Sequence, residues 1–187
     1  MSAGRGTAAS ADATPLAAVP VLRTARLVLR AFAERDLVAY AAMCADAEVM
    51  RHIGAGGPID RGLAWRQMAM FVGEWTLHGY GMWALEERAG ERLVGRVGFL
   101  NPPGWPAYEL GWLLARDCWG RGYAYEAALS ALAYGRARLS LVEPISLIRP
   151  GNQRSIQLAL RLGATLDGTI EFMSGETLLY RHHRPST

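Results

Sequence analysis

Trp119-Gly120-Arg121-Gly122-Tyr123-Ala124-Tyr125-Glu126-Ala127 is the segment that decides the fold of this chain. It joins an apolar run, Leu110–Leu114, to an alanine-rich run, Ala124–Leu139, which predicts a strand, a glycine turn and a helix. Two glycines in alternate positions leave the backbone free of Cβ atoms where the unpaired amides of a helix N-terminus face outward. Such amides bind anions, so the segment predicts a pyrophosphate cradle. A tight turn without a ligand is the equal alternative.

The composition excludes several kinds of chemistry. The 187 residues suffice for one domain, and the net charge of +3 is spread along the chain rather than clustered. Nucleic-acid binding is therefore not indicated, whereas an anionic small ligand is compatible with the sequence. All 20 basic residues are arginines, which rules out both a Schiff-base lysine and the lysine of a phosphate-binding P-loop.

Neither a membrane nor a metal is indicated. The first residues, 1–20, lack the basic start and apolar core of a signal peptide, so we expect a disordered tail before a single domain over 21–187. No later apolar run approaches the roughly 20 residues of a membrane span. Two cysteines are too few for a four-thiolate site, and the histidines lack metal-ligand spacing; His182 and His183 are expected at a solvated terminus. We therefore expect a cytoplasmic protein, monomeric or homodimeric, without a metal.

Periodicity along the rest of the chain predicts a mixed sheet covered by helices. Leu22–Ala31 alternates as a half-buried edge strand, and Asp60 is a good N-cap for the next helix. That helix has an apolar stripe of Leu63, Met68, Phe71, Val72 and Trp75. The other predicted elements are helices over Glu34–Cys44 and Asn152–Leu162, and strands over Met82–Glu86, Leu93–Leu100, Tyr108–Leu114, Glu143–Arg149, Asp167–Phe172 and Glu176–Arg181. This order predicts an α/β (α+β) fold with helices on both faces of the sheet.

A dinucleotide-binding site is a poor alternative for the glycine segment. It requires a third glycine where this chain has Tyr125. Its acidic ribose partner would end the next strand, whereas Glu143 opens it. A nucleotide-binding oxidoreductase is therefore the weakest of the hypotheses.

Four motifs taken together resemble the GNAT N-acetyltransferases. In chain order they are Tyr108–Leu114 (YELGWLL), the glycine segment, Asn152–Ile156 (NQRSI) and Arg161–Ala164 (RLGA). The opening Leu22–Arg30 (LRTARLVLR) looks like the start of the branch that acetylates the N-terminal alanines of ribosomal proteins. The resemblance extends from Val21 to Arg181. It implies a twisted, mostly antiparallel sheet with one splayed parallel strand pair, and acetyl-CoA as the co-substrate.

The resemblance also implies a donor site. In this family the pyrophosphate of acetyl-CoA lies on the amides of the glycine turn, and the pantetheine arm pairs with the preceding strand, where an amide of Trp112 or Leu113 polarises the thioester carbonyl. Asn152 and Ser155 match residues that bond the arm, with helix capping as the alternative. Trp119 stands where the family usually has Gln or Arg, so no side-chain contact is expected from it. The implied donor-binding residues are Trp112, Leu113, Leu114, Gly120, Arg121, Gly122, Tyr123, Ala124, Tyr125, Asn152 and Ser155.

Glu109 is the residue that we expect to act as the catalytic base. An amine attacks a thioester only when it is neutral, so a group must take its proton. Glu109 matches the acidic position on the family's splayed strand, and burial beside Tyr108 and Trp112 would raise its pKa. A carboxylate that only holds the substrate amine or pairs with a surface arginine is the alternative.

The acid for the departing thiolate is less defined. Some family members supply a tyrosine at the position that is Ala159 here. Ser155, Tyr125 and Tyr180 are the possible substitutes. Glu126, in the first helical turn, is expected to be structural, because a negative charge is favoured there.

The leading hypothesis is an acetyl-CoA-dependent N-acetyltransferase that moves the acetyl group directly to a primary amine in a ternary complex. The acceptor is a protein N-terminus or a small amine. Its pocket is expected from Met50–Pro58, the Trp105 loop and Phe172–Gly175, which the motifs constrain least. A non-catalytic acyl-CoA-binding module is the alternative, motivated by the missing tyrosine.

Overall fold

The computed structural model describes residues 18–173 and 175–184 and shows one eight-stranded sheet with helices on both faces. The predicted tail, 1–20, lies outside the described residues except at 18–20, where the Trp83 Nε1 donates a 2.8 Å hydrogen bond to the Pro20 carbonyl. Ser174, within the predicted Phe172–Gly175 turn, also lies outside them. The strands are β1 Leu22–Arg23, β2 Leu27–Arg30, β3 Met82–Glu87, β4 Arg92–Leu100, β5 Glu109–Leu114, β6 Ile145–Ile148, β7 Ala164–Glu171 and β8 Glu176–His182. The helices are α1 Leu37–Ala45, α2 Ala47–Met50, α3 Arg61–His78, α4 Tyr123–Arg138 and α5 Gln153–Arg161, with 3-10 turns at Glu34–Asp36 and Arg116–Cys118.

The sheet has the predicted mixed topology. Its strand order is β1-β2-β3-β4-β5-β6-β8-β7, and every neighbouring pair is antiparallel except β5 and β6. Two pairs of consecutive strands, β3 with β4 and β7 with β8, form antiparallel hairpins. The expected fold class is therefore confirmed.

Two apolar cores lie on opposite faces of this sheet. On one face, Trp83, Phe99 and Leu110 pack against the alanine-rich side of α4, including Ala127 and Ala131. On the other face, a second core is built from α1, α3 and the inward side chains of β3 to β5. Alternation along β4 and β5 therefore sends neighbouring residues to different cores, which decides which side chains can meet in a site.

The N-terminal strand differs from its prediction. Leu22–Ala31 was expected as one half-buried edge strand, but a turn at Thr24 divides it into β1 and β2. Thr24 closes that turn, because its hydroxyl accepts a 3.0 Å bond from the Leu27 amide. β2 is thus an interior strand, and Leu27 and Leu29 are both completely buried.

The predicted stripe of α3 is only partly correct. Asp60 caps this helix as expected, accepting a bond from the Leu63 amide at 2.8 Å. Met68, Phe71 and Trp75 are buried, whereas Leu63 and Val72 are about 43% and 44% exposed. The buried face of α3 is therefore narrower than the apolar composition suggests.

The parallel pair, β5 and β6, separates after one residue pair. Glu109 pairs with Ile145, the Ile145 amide donates to the Tyr108 carbonyl at 2.8 Å, and the Ser146 hydroxyl donates to the Leu110 carbonyl at 2.7 Å. Beyond this point the two strands line cavities instead of pairing. The expected splayed pair is present, and the gap between β5 and β6 lies where the two cavities meet.

Candidate active site

The glycine turn presents open backbone at the start of α4. Gly120 and Gly122 have φ angles of 75° and 77°, in the left-handed region that glycine adopts without a steric penalty. Gly122 is the N-cap of α4, and no side chain caps the first helical amides. The turn therefore has unpaired donors and the positive end of a helix dipole, as an anion site requires.

Glu126 connects the glycine turn to the residues between β1 and β2. Its carboxylate accepts hydrogen bonds from the Thr24 hydroxyl at 2.6 Å and from the Arg26 amide at 2.8 Å. Arg26 completes the arrangement with an ion pair to Glu126 and a 2.8 Å bond from Nη1 to the Arg121 carbonyl. Burial acts to raise the pKa of Glu126, but the bonds from Thr24 and Arg26 outweigh it and lower the pKa. These contacts agree with the structural role expected for Glu126.

The aromatic side chains of the turn are engaged within the protein. Trp119 Nε1 donates to the Leu114 carbonyl at 3.0 Å, and the Tyr123 hydroxyl donates to Glu87. Two guanidinium groups stack beside the turn, Arg154 over Trp119 at 4.3 Å and Arg161 over Tyr125 at 4.1 Å. An anion at this turn would consequently meet backbone amides and two nearby cations rather than aromatic side chains.

The register of β5 decides which amides face the gap. The Ala115 amide donates to the Val94 carbonyl at 2.9 Å, so alternation directs the Leu113 amide to β4 as well. The amides of Trp112 and Leu114 are directed to the opposite edge, toward β6. Of the two amides predicted to polarise the thioester carbonyl, the Trp112 amide is the one that faces the gap.

Asn152 and Ser155 have different roles at the start of α5. The Asn152 side chain caps the helix, since its Oδ1 accepts from the Ser155 amide at 3.2 Å. The Ser155 hydroxyl instead accepts a 3.1 Å bond from Trp112 Nε1 and lines the gap. Because this hydroxyl accepts from Trp112, its own hydrogen remains available to another group.

Two cavities meet at these residues. The larger, about 670 Å³, extends over the glycine turn and along α5 as far as Arg161. The smaller, about 190 Å³, lies on the α1 and α3 side of the sheet near Glu109 and Trp105. Both cavities are lined by Trp112, Asn152, Ser155, His52 and Ile53. A long ligand in one cavity and a small ligand in the other could therefore be in contact.

Glu109 lines the smaller cavity. Trp105 Nε1 donates to its Oε2 at 2.6 Å, and the Trp105 ring packs against Phe172 with centroids 5.0 Å apart. Burial raises the pKa of Glu109, although the Trp105 hydrogen bond and the Arg96 charge oppose the rise. The predicted direction of the shift is confirmed, but Tyr108 packs on Tyr80 at 5.1 Å instead of covering the carboxyl group. Among the described residues Glu109 has no ion pair within 4.0 Å, which argues against pairing with a surface arginine.

The other expected substitutes for the missing tyrosine lie elsewhere. Ala159 is completely buried, so no side chain reaches the gap from that position. Tyr180 is buried in a small core with Ile148 and Ala164, and Tyr125 lies at the Arg161 end of the larger cavity. Ser155 is therefore the expected acid that the structure brings to the junction of the cavities.

His182 was expected in a solvated terminus, but it is completely buried. Its Nε2 lies 2.9 Å from the Ser146 Oγ, whose single hydrogen is donated to the Leu110 carbonyl, so Nε2 must donate. Burial lowers the pKa of His182 to about 4, and the ring is accordingly neutral. This neutral histidine fixes Ser146 where the strands separate, because β8 pairs with β6 up to Arg181 and the His182 amide then donates to the Pro144 carbonyl at 2.9 Å.

Arg96 was also missed by the sequence analysis. It lies on β4 opposite Leu113, is only 7% exposed and lines the smaller cavity. A charged residue inside the apolar run Leu93–Leu100 was the available signal, because arginine is rarely buried without a partner.

Comparison with known proteins settles the family. A family model described as an acetyltransferase (GNAT) domain matches residues 26–165. The chain belongs to the GNAT acetyltransferase family. It is thus an acyltransferase with acetyl-CoA as its donor, and neither the non-catalytic module nor the oxidoreductase is supported.

Individual GNAT relatives agree with this assignment. The solved acetyltransferase of Agrobacterium tumefaciens str. C58 is 32% identical, with a TM-score of 0.81, 97% of this chain covered and 100% of that one. The uncharacterized N-acetyltransferase YoaA of Bacillus subtilis is 26% identical over 152 residues, 81% of this chain and 86% of YoaA. The uncharacterized protein YkkB of B. subtilis is 33% identical over 95 residues, only 50% of this chain and 55% of YkkB.

A ribosomal-protein acetyltransferase shares the GNAT fold. RimL, a ribosomal L7/L12 alpha-N-protein acetyltransferase solved in complex with coenzyme A, superposes with a TM-score of 0.69, covering 87% of this chain and 96% of RimL. The identity is 18%, so this likeness concerns the fold alone.

Among the residues described here, no helix is both long and apolar enough to cross a membrane, and no group of three or more His, Cys, Asp or Glu side chains could hold a metal.

Proposed function

We propose that this protein is an acetyl-CoA-dependent N-acetyltransferase that transfers the acetyl group directly to a primary amine, with Glu109 as the base. The observation that carries the proposal is the position of Glu109. Its carboxyl group lies in the smaller of two joined cavities, and burial raises its pKa toward the range where a general base is useful.

The larger cavity is the proposed donor site. Its glycine turn offers the open amides that would receive the pyrophosphate, from Gly120 through Ala124, with the Tyr125 amide next in the helix. The exposed edge of β5, at Trp112 and Leu114, has the backbone groups that would pair with the pantetheine arm, and the lining side chain of Leu113 would pack beside it. The Asn152 side chain and the Ser155 hydroxyl lie where this arm would approach the gap.

The proposed reaction needs a base that takes a proton from the acceptor ammonium and a proton source for the departing coenzyme A thiolate. Glu109 takes a proton from the acceptor ammonium, directly or through water, and the neutral nitrogen bonds to the thioester carbonyl carbon. The Trp112 amide stabilises the charge that develops on the carbonyl oxygen. The nitrogen still carries one proton more than the amide product, and as the carbon–sulfur bond breaks this proton passes to the departing thiolate. It is relayed by water or by the Ser155 hydroxyl, which gives up its own hydrogen as it takes up the one from nitrogen. No covalent bond to the enzyme forms in this sequence.

The first test is Glu109→Gln, assayed by release of the coenzyme A thiol with an acceptor amine. We expect kcat to fall about 10²- to 10⁴-fold, the usual contribution of a general base, while acetyl-CoA affinity by calorimetry is unchanged. Glu91→Gln, at an exposed position in the β3–β4 turn, removes the same charge and should retain full activity. Full activity of Glu109→Gln would remove Glu109 from the mechanism.

The second test concerns the order of events. Direct transfer requires both substrates to be bound, so initial rates over a matrix of both concentrations should give intersecting reciprocal plots. Parallel plots, together with acetylated enzyme in the absence of acceptor, would indicate a covalent route instead.

A further inference from the structure

Arg96 is a buried cation that has no ion-pair partner among the described residues. Its Nη1 contacts the Met82 sulfur at 3.5 Å, its guanidinium lies 5.2 Å from the Phe71 ring centroid, and its Nε has no partner among the described residues. By contrast, the part-buried Arg30 has both Asp36 and Glu86 as partners. A buried charge is costly to keep unpaired, so the missing partner of Arg96 requires an explanation.

The acidic groups near Arg96 do not supply a counter-ion. Burial raises the pKa of Tyr40 to about 12, and it also raises the pKa of the Cys44 thiol, so both stay neutral. The Tyr40 hydroxyl donates instead to Gln67 at 2.8 Å. Within the described part of the chain no carboxylate lies within 4.0 Å of the Arg96 guanidinium, Glu109 included. Arg96 lines the smaller cavity, so a ligand there can reach its guanidinium group.

Glu109 and Arg96 flank the same small opening. Gly111, on β5, lies between the two side chains: a Cβ at this residue would be 3.7 Å from Glu109 Oε1 and 4.0 Å from Nη1 of Arg96, on the neighbouring strand β4. The same atom would approach the Met82 side chain to 3.0 Å, so glycine keeps the opening clear. A carboxylate and a guanidinium at this spacing match a ligand whose ammonium and carboxylate are only a few bonds apart.

We propose that the acceptor is a small aminocarboxylate, of which an α-amino acid is the simplest case. This inference rests on the function proposed above: the amine lies at Glu109, and the carboxylate binds the guanidinium of Arg96. A guanidinium pairs with a carboxylate through parallel charge-assisted bonds, and an uncharged amide would forgo them. The N-terminus of a protein offers an amide carbonyl at that point, and the cavity of about 190 Å³ suits a small molecule.

The decisive experiment uses the wild-type enzyme, first with a panel of acceptors and then with three forms of the best one. The proteinogenic amino acids, β-alanine and γ-aminobutyrate are assayed for thiol release from acetyl-CoA, beside short peptides. The best acid is then compared with its carboxamide and its decarboxylated amine. We expect kcat/KM to be about 10- to 100-fold higher for the acid, the range measured for hydrogen bonds to charged groups.

The Arg96→Gln variant tests whether Arg96 causes the preference for the acid over the carboxamide. In Arg96→Gln the acid should lose its advantage over the carboxamide when the two are compared at the same pH, on the activity plateau, while the KM for acetyl-CoA is retained. The comparison uses the ratio of the two kcat/KM values because loss of the Arg96 charge also acts on Glu109. Arg35→Gln removes the same charge from an exposed side chain and should keep the wild-type preference. If Arg96→Gln does not fold, the three-form comparison on the wild type still decides the question.

The outcomes separate this inference from the proposed function. Equal activity on acids and carboxamides, or a preference for peptides, would overturn the aminocarboxylate assignment and leave the N-acetyltransferase standing. No thiol release with any amine would overturn both. An acid preference that persists in Arg96→Gln would show that another group reads the carboxylate, contrary to the role assigned to Arg96.

Discussion

Replacing Trp105 with phenylalanine should move the pH dependence of the enzyme without abolishing its activity. The change removes the indole N–H that donates to Glu109 Oε2 at 2.6 Å. It keeps an aromatic ring against Phe172, so the loop should retain its packing. An indole N–H can only donate, and the bond therefore favours the ionised carboxylate and lowers its pKa.

The size of the effect follows from the strength of that bond. A hydrogen bond to a charged group contributes about 1.5–3 kcal/mol, and the lower end is appropriate at a partly exposed indole. At about 1.36 kcal/mol for each tenfold change, Glu109 in the variant should bind a proton about tenfold more tightly. The base works only when ionised, so activity rises with pH through a pKa that burial has already raised. The variant should lose about tenfold in kcat/KM on the acidic side and match the wild type on the plateau.

The assay is thiol release at saturating acetyl-CoA, with kcat/KM for the acceptor measured across the acidic range. Trp65→Phe, at a tryptophan that is 51% exposed on α3, is the matched control and should leave the profile in place. An acidic limb that stays unmoved in Trp105→Phe, or a uniform loss at every pH, would refute the assignment of that limb to Glu109.

Three further outcomes follow from the contacts of the proposed donor site. In Gly122→Ala, the alanine backbone must adopt a left-handed φ of 77°, which costs about 1–2 kcal/mol, so both stability and acetyl-CoA affinity should fall. An unchanged affinity by calorimetry would contradict the role of this turn in binding the pyrophosphate. In Asn152→Ala, the lost cap should cost about 1 kcal/mol and lower Tm by roughly 2–4 °C in a thermal melt. In Glu126→Gln, Tm should fall near neutral pH, and the difference in Tm from the wild type should disappear in acid, because a carboxyl group with a lowered pKa stabilises the fold only above that pKa. A Tm difference that is constant with pH would show that the ion pair with Arg26 is not its source.

Local features of the sequence were sufficient for much of this structure. The glycine turn, the start of α4 and the cap at Asp60 depend on residues within a few positions of one another, and the structure has each of them. Glu109 was placed by its motif, and its raised pKa followed from a carboxyl group on a buried strand. Features of this kind can be read from sequence because the physical cause lies within one turn or one strand.

The remaining features depend on pairs that are distant along the chain. The hydrogen bond from Trp105 to Glu109 spans only four residues, but its geometry depends on how a Pro- and Gly-rich loop folds back. Arg96 lacks a partner only because the strands around it bring Met82 and Phe71 to its guanidinium instead of a carboxylate. His182 was placed in solvent because it stands near the end of the chain, whereas β8 inserts it between β6 and β7. No local pattern specifies these neighbours.

The bonds from Thr24 and Arg26 to Glu126 have a consequence for folding. They connect residues about 100 positions apart, so the backbone of the glycine turn is fixed by one of the longest loop closures in the chain. Closures of this length form late, because their entropic cost must be met before the contacts stabilise the chain. A partly folded chain would hold Arg121 and its neighbours loosely and would compete poorly for acetyl-CoA. We therefore expect the proposed donor site to bind acetyl-CoA only in molecules whose β1 and β2 strands have already joined the sheet.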